Sequence, residues 1–363
     1  MNKPTLSNLL GHRPSRVVAL SLACGLAALA VNATVSNPFQ QPTATAAMSV
    51  AAPQKAYMQA VTQTGERLVA VGLRGMITYS DDAGKTWTQA KSPVDVDLVA
   101  VTFSEADHGW AVGHQGVLLE TTDKGQTWTV HFADMALPQI ALEYYQASTE
   151  ANAADFAGRA QATLDEGTPY SLLDIHFESP EVGHIVGSFN TMFRTTDGGK
   201  SWQPQMDKTG NTGELHFYTI RGNSEGLYTT GERGMVWRLD NATLQWKAVP
   251  TGYTGTLFGL LVDGKNVVAY GMRGSIYRTT DGGTTWTQVE NAQKAGILAG
   301  KKLNDGTLLL ANQAGNYLRS TDGGATFTAT ESESDSLSYS LTQAGSGELI
   351  SAGPFGISSI VLK

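Results

Sequence analysis

LVAVTFSEADHGWAVGHQGVLLETTDKGQTWTV, residues 98–130, carries the pattern that decides the fold. Apolar and β-branched runs, LVAVTF, WAVG and VLLETT, alternate with short turn-forming segments, and a fourth run, QTWTV, follows Asp123-Lys124-Gly125. Runs this short, punctuated by glycine, suit the strands of an antiparallel meander. The central Gly-x-x-Gly segment, GHQG at 113, recurs as GLRG at 72, GSFN at 187, GERG at 231, GMRG at 271, NQAG at 312 and GPFG at 353. Successive starts lie 41, 74, 44, 40, 41 and 41 residues apart, so the chain holds seven units with an insertion in the second interval. Four strands per unit, with no amphipathic helix inside it, predict an all-β, seven-bladed β-propeller over residues 56–363.

The turn before the last strand of a unit is its most regular feature: SDDAGKTW at 80, TTDKGQTW at 121, TTDGGKSW at 195, TTDGGTTW at 279 and STDGGATF at 320. These are Asp boxes. Asp82, Asp123, Asp197, Asp281 and Asp322 are placed to accept backbone N–H bonds across the turn, beside glycines that tolerate positive φ. Trp87, Trp128, Trp202, Trp286 and Phe327 are expected to pack between blades. The fourth unit keeps Trp246 and lacks the box. Calcium is the rival use of such turns, but each box repeats a single carboxylate where calcium takes six or more oxygens, so no metal and no cofactor is assigned.

With 41% hydrophobic and 16% charged residues, the 363-residue chain can bury a large core. Residues 1–33 differ from the rest: Lys3, Arg13 and Arg16 precede the apolar run VVALSLACGLAALAV, which ends at Val31-Asn32-Ala33. This is the pattern of an export signal, with the periplasm or another lumen as destination. Cys24 lies within it, so lipidation and an uncleaved anchor stand as alternatives to cleavage. It is the chain's one cysteine, so cleavage leaves no disulfide or thiolate chemistry. The net charge of −8 becomes more acidic once the three cations of the signal are removed, which argues against nucleic acid as a partner. The seventh unit, SAGPFGISSIVLK, has no Thr-Trp strand, so residues 34–55, and 43–54 in particular, are expected to supply the missing outer strand of the last blade.

In a meander, the turn between strands two and three lies on the same face of the disc as the link from strand four to the next blade. The Gly-x-x-Gly turns therefore share a face with the insertion at 134–168, and the Asp boxes take the opposite face. At the third turn position stand Arg74, Gln115, Phe189, Arg233, Arg273, Ala314 and Phe355. The arginines and aromatics make this a candidate partner-binding surface, against the plainer use of arginine as a soluble turn residue. The insertion predicts two helices, one carrying Leu137, Ile140, Ala141 and Tyr144, the other Phe156, Ala160 and Leu164, with Tyr144 and Tyr145 as docking candidates. A second arginine series, Arg194, Arg238, Arg278 and Arg319, precedes the Asp-box turns and is expected to be structural.

The spacing of about 41 residues and the GW-x-VG…TTDGG-x-TW grammar resemble the photosystem II stability and assembly factor family, across roughly residues 56–363. The resemblance implies a lumenal propeller that binds a membrane-protein complex or its subunits through a basic patch, and the chain is expected to be a monomer. Arg74, Arg233 and Arg273 match the family's Gly-x-Arg-Gly pattern; Gln115, Phe189, Ala314 and Phe355 do not, and the helical insertion is a further departure. In a bacterium without photosystems, the same binding mechanism would serve an envelope or transporter-accessory role. The alternative is a glycosidase of the wider Asp-box superfamily, with Asp174, Glu178, Glu214 and Glu232 as carboxylates by location. No Arg-Ile-Pro segment of the sialidase type occurs, and His108, His114, His131, His176, His184 and His216 show no metal-ligand spacing.

Overall fold

In the second unit, Leu98–Phe103 pairs antiparallel with Gly109–Gly113, that strand with Leu118–Thr121, and that one with Thr129–Phe132. Every residue of Gly109–Gly113 is buried, because this strand is covered on both faces, and its sequence is correspondingly an unbroken apolar run. The structure is a computed structural model that describes residues 40–333 and 337–363. Six such four-stranded sheets and a seventh of three strands follow one another along the chain, and together they form the seven blades.

Each sheet buries its faces against its neighbours. Trp128 of blade two packs on Val69 and Val71 of blade one, Trp202 meets Trp110 edge-on across blades two and three, and Trp246 shares a cluster with Val186 of blade three. The box that positions Trp128 is fully bonded. Asp123 accepts from the amides of Gln126 and Thr127, both at 2.9 Å, and from the hydroxyls of Thr121 and Thr127 at 2.8 and 2.6 Å. The indole Nε1 of Trp128 then donates to the Gly125 carbonyl at 3.0 Å. Gly125 has φ 83° and lies against Val69 of the preceding blade, so both its conformation and its lack of a side chain are needed. Members of the second arginine series brace the same edge. Arg278 donates to Asn266 and to the Gly323 carbonyl of the next blade's box, and Arg238 lies over the Tyr228 ring.

Ring closure differs from the expectation. The seventh sheet has three strands, Ser340–Gln343, Leu349–Gly353 and Gly356–Ile360, and residues 43–54 add none to it. Two prolines begin short 3-10 turns in this segment, Pro42–Ala44 and Pro53–Lys55, and proline provides no amide for a ladder. Residues 47–50 instead lie along blade one, where Val50 and Met48 bond the Gln89 side chain and Ala47 bonds Ser92, and the Pro53–Lys55 turn packs on Gly356–Ile360 of blade seven without joining its ladder, the Gln54 carbonyl standing against Gly356. Beside blade seven, the outer position is taken by the exit from blade six, where Glu331 and Glu333 bond Lys363 and Val361 through the backbone. The ring closes by packing, with Met58, Val61 and Leu68 of blade one against Ile350 and Ala352 of blade seven. The expected signal at 1–33, with Cys24, lies outside the described residues; among those described, no helix is long and apolar enough to cross a membrane.

The insertion forms two helices, α1 (Ala136–Ala147) and α2 (Ala153–Glu166), ended by Gly167 at φ 65°. The buried row of α1 is Leu137, Ala141 and Tyr145 with Leu142. Tyr145, at 2% exposure, is a core residue whose hydroxyl donates to Asp207 at 2.9 Å, which removes it as a docking residue; Tyr144 is half-buried. The row advances by four residues per step, so once Leu137 and Ala141 face blade three, Tyr145 must follow.

Truncation of Trp128 to Ala is expected to destabilise the chain by about 3–5 kcal/mol through an interblade cavity, against about 0.5–2 kcal/mol for Asp123→Ala, measured by denaturant unfolding. The box carboxylates also set an acid limit. Hydrogen bonds from the Thr86 hydroxyl and amide hold Asp82 down to about 2, and those from Ser201 hold Asp197 down to about 2. A carboxylate with a depressed folded-state pKa contributes stability above its unfolded pKa of about 4 and loses it as pH falls toward the folded value. Stability should therefore fall between about pH 4 and pH 2, with a shallower slope in Asp197→Asn, as read by acid titration of the unfolding midpoint.

Candidate functional site

The Gly-x-x-Gly segments are tight turns between the second and third strands of a blade. In five of them the residue singled out by sequence is left-handed: Arg74, Gln115, Phe189, Arg233 and Arg273 have φ of 56°, 55°, 51°, 55° and 58°. The next residue is left-handed too, so both central positions have φ above zero, as in the two-residue turn that matches hairpin twist. Gly fills that second position in four of the five, and a Cβ on Gly75, Gly234 or Gly274 would stand 1.8–2.2 Å from a carbonyl oxygen of the link to the following blade. The same approach lets the Gly75 amide donate to Val96 at 2.7 Å, and the Gly234 amide to Gly255 at 2.6 Å. In blade three Asn190 takes the place, and its buried amide group bonds Met206 and Thr209.

These bonds put the turns and the interblade links on one face, with the insertion beside them. Arg159 of α2 pairs with Glu214 in the link to blade four and lies over the Phe156 ring. A groove of about 430 Å³ runs between α2 and the blade-three turn, lined by Phe156, Arg159, Tyr170, Phe189, Met206 and Glu214. The Asp boxes, between strands three and four, lie at the other ends of the strands.

Around this face the seven positions are not equivalent. Arg74 is exposed, but it is bound through two nitrogens to Asp95 at 2.7 and 2.9 Å, which raises its pKa and satisfies its charge. Arg233 and Arg273 are exposed and make no ion pair among the described residues. Gln115 is half-buried. Phe189 is 68% exposed and Phe355 79% exposed, although the Phe355 turn lacks the left-handed pair, as does that of Ala314. Phe189, Arg233 and Arg273 belong to consecutive blades and form one arc. Met272, exposed beside Arg273, extends its apolar part and was legible only as the preceding residue of the GMRG turn. His216 lies beneath the arc; its ring is 4.5 Å from Phe189, and its Nδ1 accepts the Phe189 amide at 3.1 Å.

The four carboxylates considered for hydrolysis are each engaged by a base. Asp174 is paired with Arg221, Glu178 with His184, Glu214 with Arg159, and Glu232 lies 3.9 Å from His216. The His184 bond holds the Glu178 carboxyl below the usual range, opposite to what a general acid needs. Among the described residues, no three His, Cys, Asp or Glu side chains lie together as metal ligands.

The family model described as Photosynthesis system II assembly factor YCF48 matches residues 87–159 and 156–340, more than half of the chain. A photosystem II assembly lipoprotein Ycf48 from Synechococcus sp. (strain CC9902) is 26% identical over 126 residues, 34% of this chain and 38% of that protein. A Paenibacillus xyloglucanase is 27% identical over 169 residues, 40% of this chain and 16% of the enzyme. The chain thus matches well under two thirds of either relative. Among solved structures, YCF48 bound to D1 peptide superposes with a TM-score of 0.64 at 18% identity, over 90% of this chain and 98% of that one. YCF48 from Cyanidioschyzon merolae gives 0.59 at 17% identity, over 84% and 95%. At these identities the likeness establishes the fold.

A non-glycine residue held left-handed costs about 1–2 kcal/mol, and asparagine tolerates that conformation best. Phe189→Asn should therefore keep or raise the melting temperature while removing the largest apolar group of the arc. A clear loss of thermal stability would show that Phe189 serves the fold instead.

Proposed function

Since this chain belongs to the Photosynthesis system II assembly factor YCF48 family, we propose that it is an exported, non-enzymatic assembly factor that docks a membrane-protein subunit through the arc Phe189, Arg233 and Arg273. The observation that carries this is local. Left-handed turns of three consecutive blades present an exposed phenylalanine and two arginines that make no ion pair among the described residues, on an acidic protein. Backbone strain kept at the most exposed points of one face is a mark of a binding surface, and aromatic plus arginine is the composition that anchors one. The D1 peptide named with the YCF48 neighbour makes a peptide segment of a membrane protein the natural ligand class. Acidic side chains on that segment would meet Arg233 and Arg273, and an apolar one the groove beside Phe189. Tyr144 and Phe355 stand outside the arc as secondary contacts, and Arg74, already neutralised by Asp95, contributes least. Export and attachment to a membrane follow the N-terminal signal and the lipoprotein relative. In a host without photosystems, the same arc would serve an envelope or transporter complex.

The test is capture of membrane-protein subunits from detergent-solubilised membranes by the exported protein, followed by titration with the bound subunit's acidic segment. Arg233→Ala with Arg273→Ala should weaken binding by about tenfold or more and flatten its salt dependence, with the melting temperature nearly unchanged, since exposed charges add little to folding. Arg74→Ala should have a smaller effect. Normal capture by the double variant would overturn the assignment.

A further inference from the structure

The seven inner strands surround a central channel with a cavity of about 320 Å³. Six of them carry a bulge near their start, and the position after it holds Ala60, Ala100, Gly259 or Ala299 in four blades, Thr219 in blade four and Asp174 in blade three. Two residues further on, six of the seven strands present polar side chains to the channel: Thr62, Thr102, His176, Arg221, Lys301 and Thr342. Tyr270 reaches the same space from the second strand of blade five, over Gly259 and Gly300, where any side chain would collide with its ring.

The charges in this ring do not balance. Asp174 is the one carboxylate among the channel-lining residues, and it is already saturated. It accepts from the Thr219 hydroxyl at 2.8 Å, from the amides of Ile220 and Ile175 at 2.9 Å, and from Arg221. Lys301 has no ion pair or hydrogen bond among the described residues; its charged neighbour is Arg221, and burial followed by that like charge pulls its pKa down. His176 is pushed down to about 4, first by burial and then by Arg221, so it is neutral near pH 7 and adds a polar ring without a charge. The hydroxyls of Thr62, Thr102, Thr342 and Tyr270 have no hydrogen-bond partner among the described residues. A half-buried ammonium beside a guanidinium whose own carboxylate is already saturated lacks a counter-charge, so its charged form is disfavoured until an anion supplies one.

We propose that the central channel is a binding site for a small oxyanion of the phosphate type, held between Lys301 and Arg221 and bonded by the Tyr270 and threonine hydroxyls. The guanidinium provides a planar fork, the ammonium a point charge and the hydroxyls neutral donors, which together suit a tetrahedral anion. The volume equals about ten waters at roughly 30 Å³ each, enough for the anion with part of its hydration shell. Inner strands from every blade contribute to this wall, so an occupied channel would tie the ring together from its centre. The site is separate from the docking arc.

Inorganic phosphate is the probe. Isothermal titration of the exported protein with phosphate, at ionic strength fixed with chloride, should give saturable binding near one equivalent, and the melting temperature should rise with phosphate and not with chloride. Lys301→Met should abolish both responses and keep or raise the melting temperature in phosphate-free buffer, because it removes a half-buried charge that has no ion pair among the described residues. Tyr270→Phe should weaken binding several-fold, and Arg233→Ala with Arg273→Ala should leave it unchanged. Absence of a saturable phosphate response in the unaltered protein, or a wild-type response in Lys301→Met, would overturn the site.

Discussion

An aromatic ring wedged between neighbouring sheets is the contact on which the molecule depends, because no single blade can bury its own faces. A four-stranded meander is too thin to have a core. Its second strand is buried on both sides only when blades stand on either side, as at Gly109–Gly113 and Leu349–Gly353. Trp128 against Val69 and Val71 shows the device at its fullest, with the Asp box acting as a clamp that fixes where the indole enters. The fourth blade, without a box, keeps Trp246 buried, so the wedge can be placed without the box, whereas the three-stranded seventh blade has neither and packs on blade six through Leu341, Leu349 and Ile360 against Leu309 and Tyr317.

Using both faces of every sheet for packing leaves three places for other work: the two rims and the axis. On the Asp-box rim, carboxylates, hydroxyls and amides are consumed by the turns themselves. The opposite rim is built differently. Its turns are bonded to the next blade through the second central residue, as Gly75 is to Val96, which frees the side chain of the first to project outward. The helical insertion adds to this rim because a link from strand four to the next blade can leave the sheet only there.

Along the axis, the inner edges of the first strands cannot pair with one another. Asp174 meets part of that need by accepting the Ile220 amide of the neighbouring blade. The channel's cation beyond the Arg221–Asp174 pair is Lys301, and it is there that the proposed anion would bind. On the two proposals made above, rim and axis divide two kinds of recognition, a macromolecular partner outside and a small ion within.

The number of blades, the Asp boxes, the wedge residues, the place of the insertion and the face shared by the turns were all legible in the sequence. Each follows from a repeat of about 41 residues and from the alternation of direction in a meander, which are local rules. Ring closure was not legible. Which segment lies beside blade seven depends on contacts between residues some 280 positions apart, such as Val61 with Ser340, and prolines at 42 and 53 keep the N-terminal segment out of the ladder, as a strap that runs from blade one to a turn against Gly356 of blade seven. The same limit applies to the candidate sites. Sequence placed Arg74, Arg233 and Arg273 on equal terms; only the fold sets Asp95 beside the first and leaves the other two without an ion pair among the described residues. It paired Tyr144 with Tyr145, and the packing of α1 on blade three buried the second. Channel residues such as Arg221 and Lys301 look like ordinary strand polars in one dimension, because their common environment exists only once all seven inner strands surround one axis.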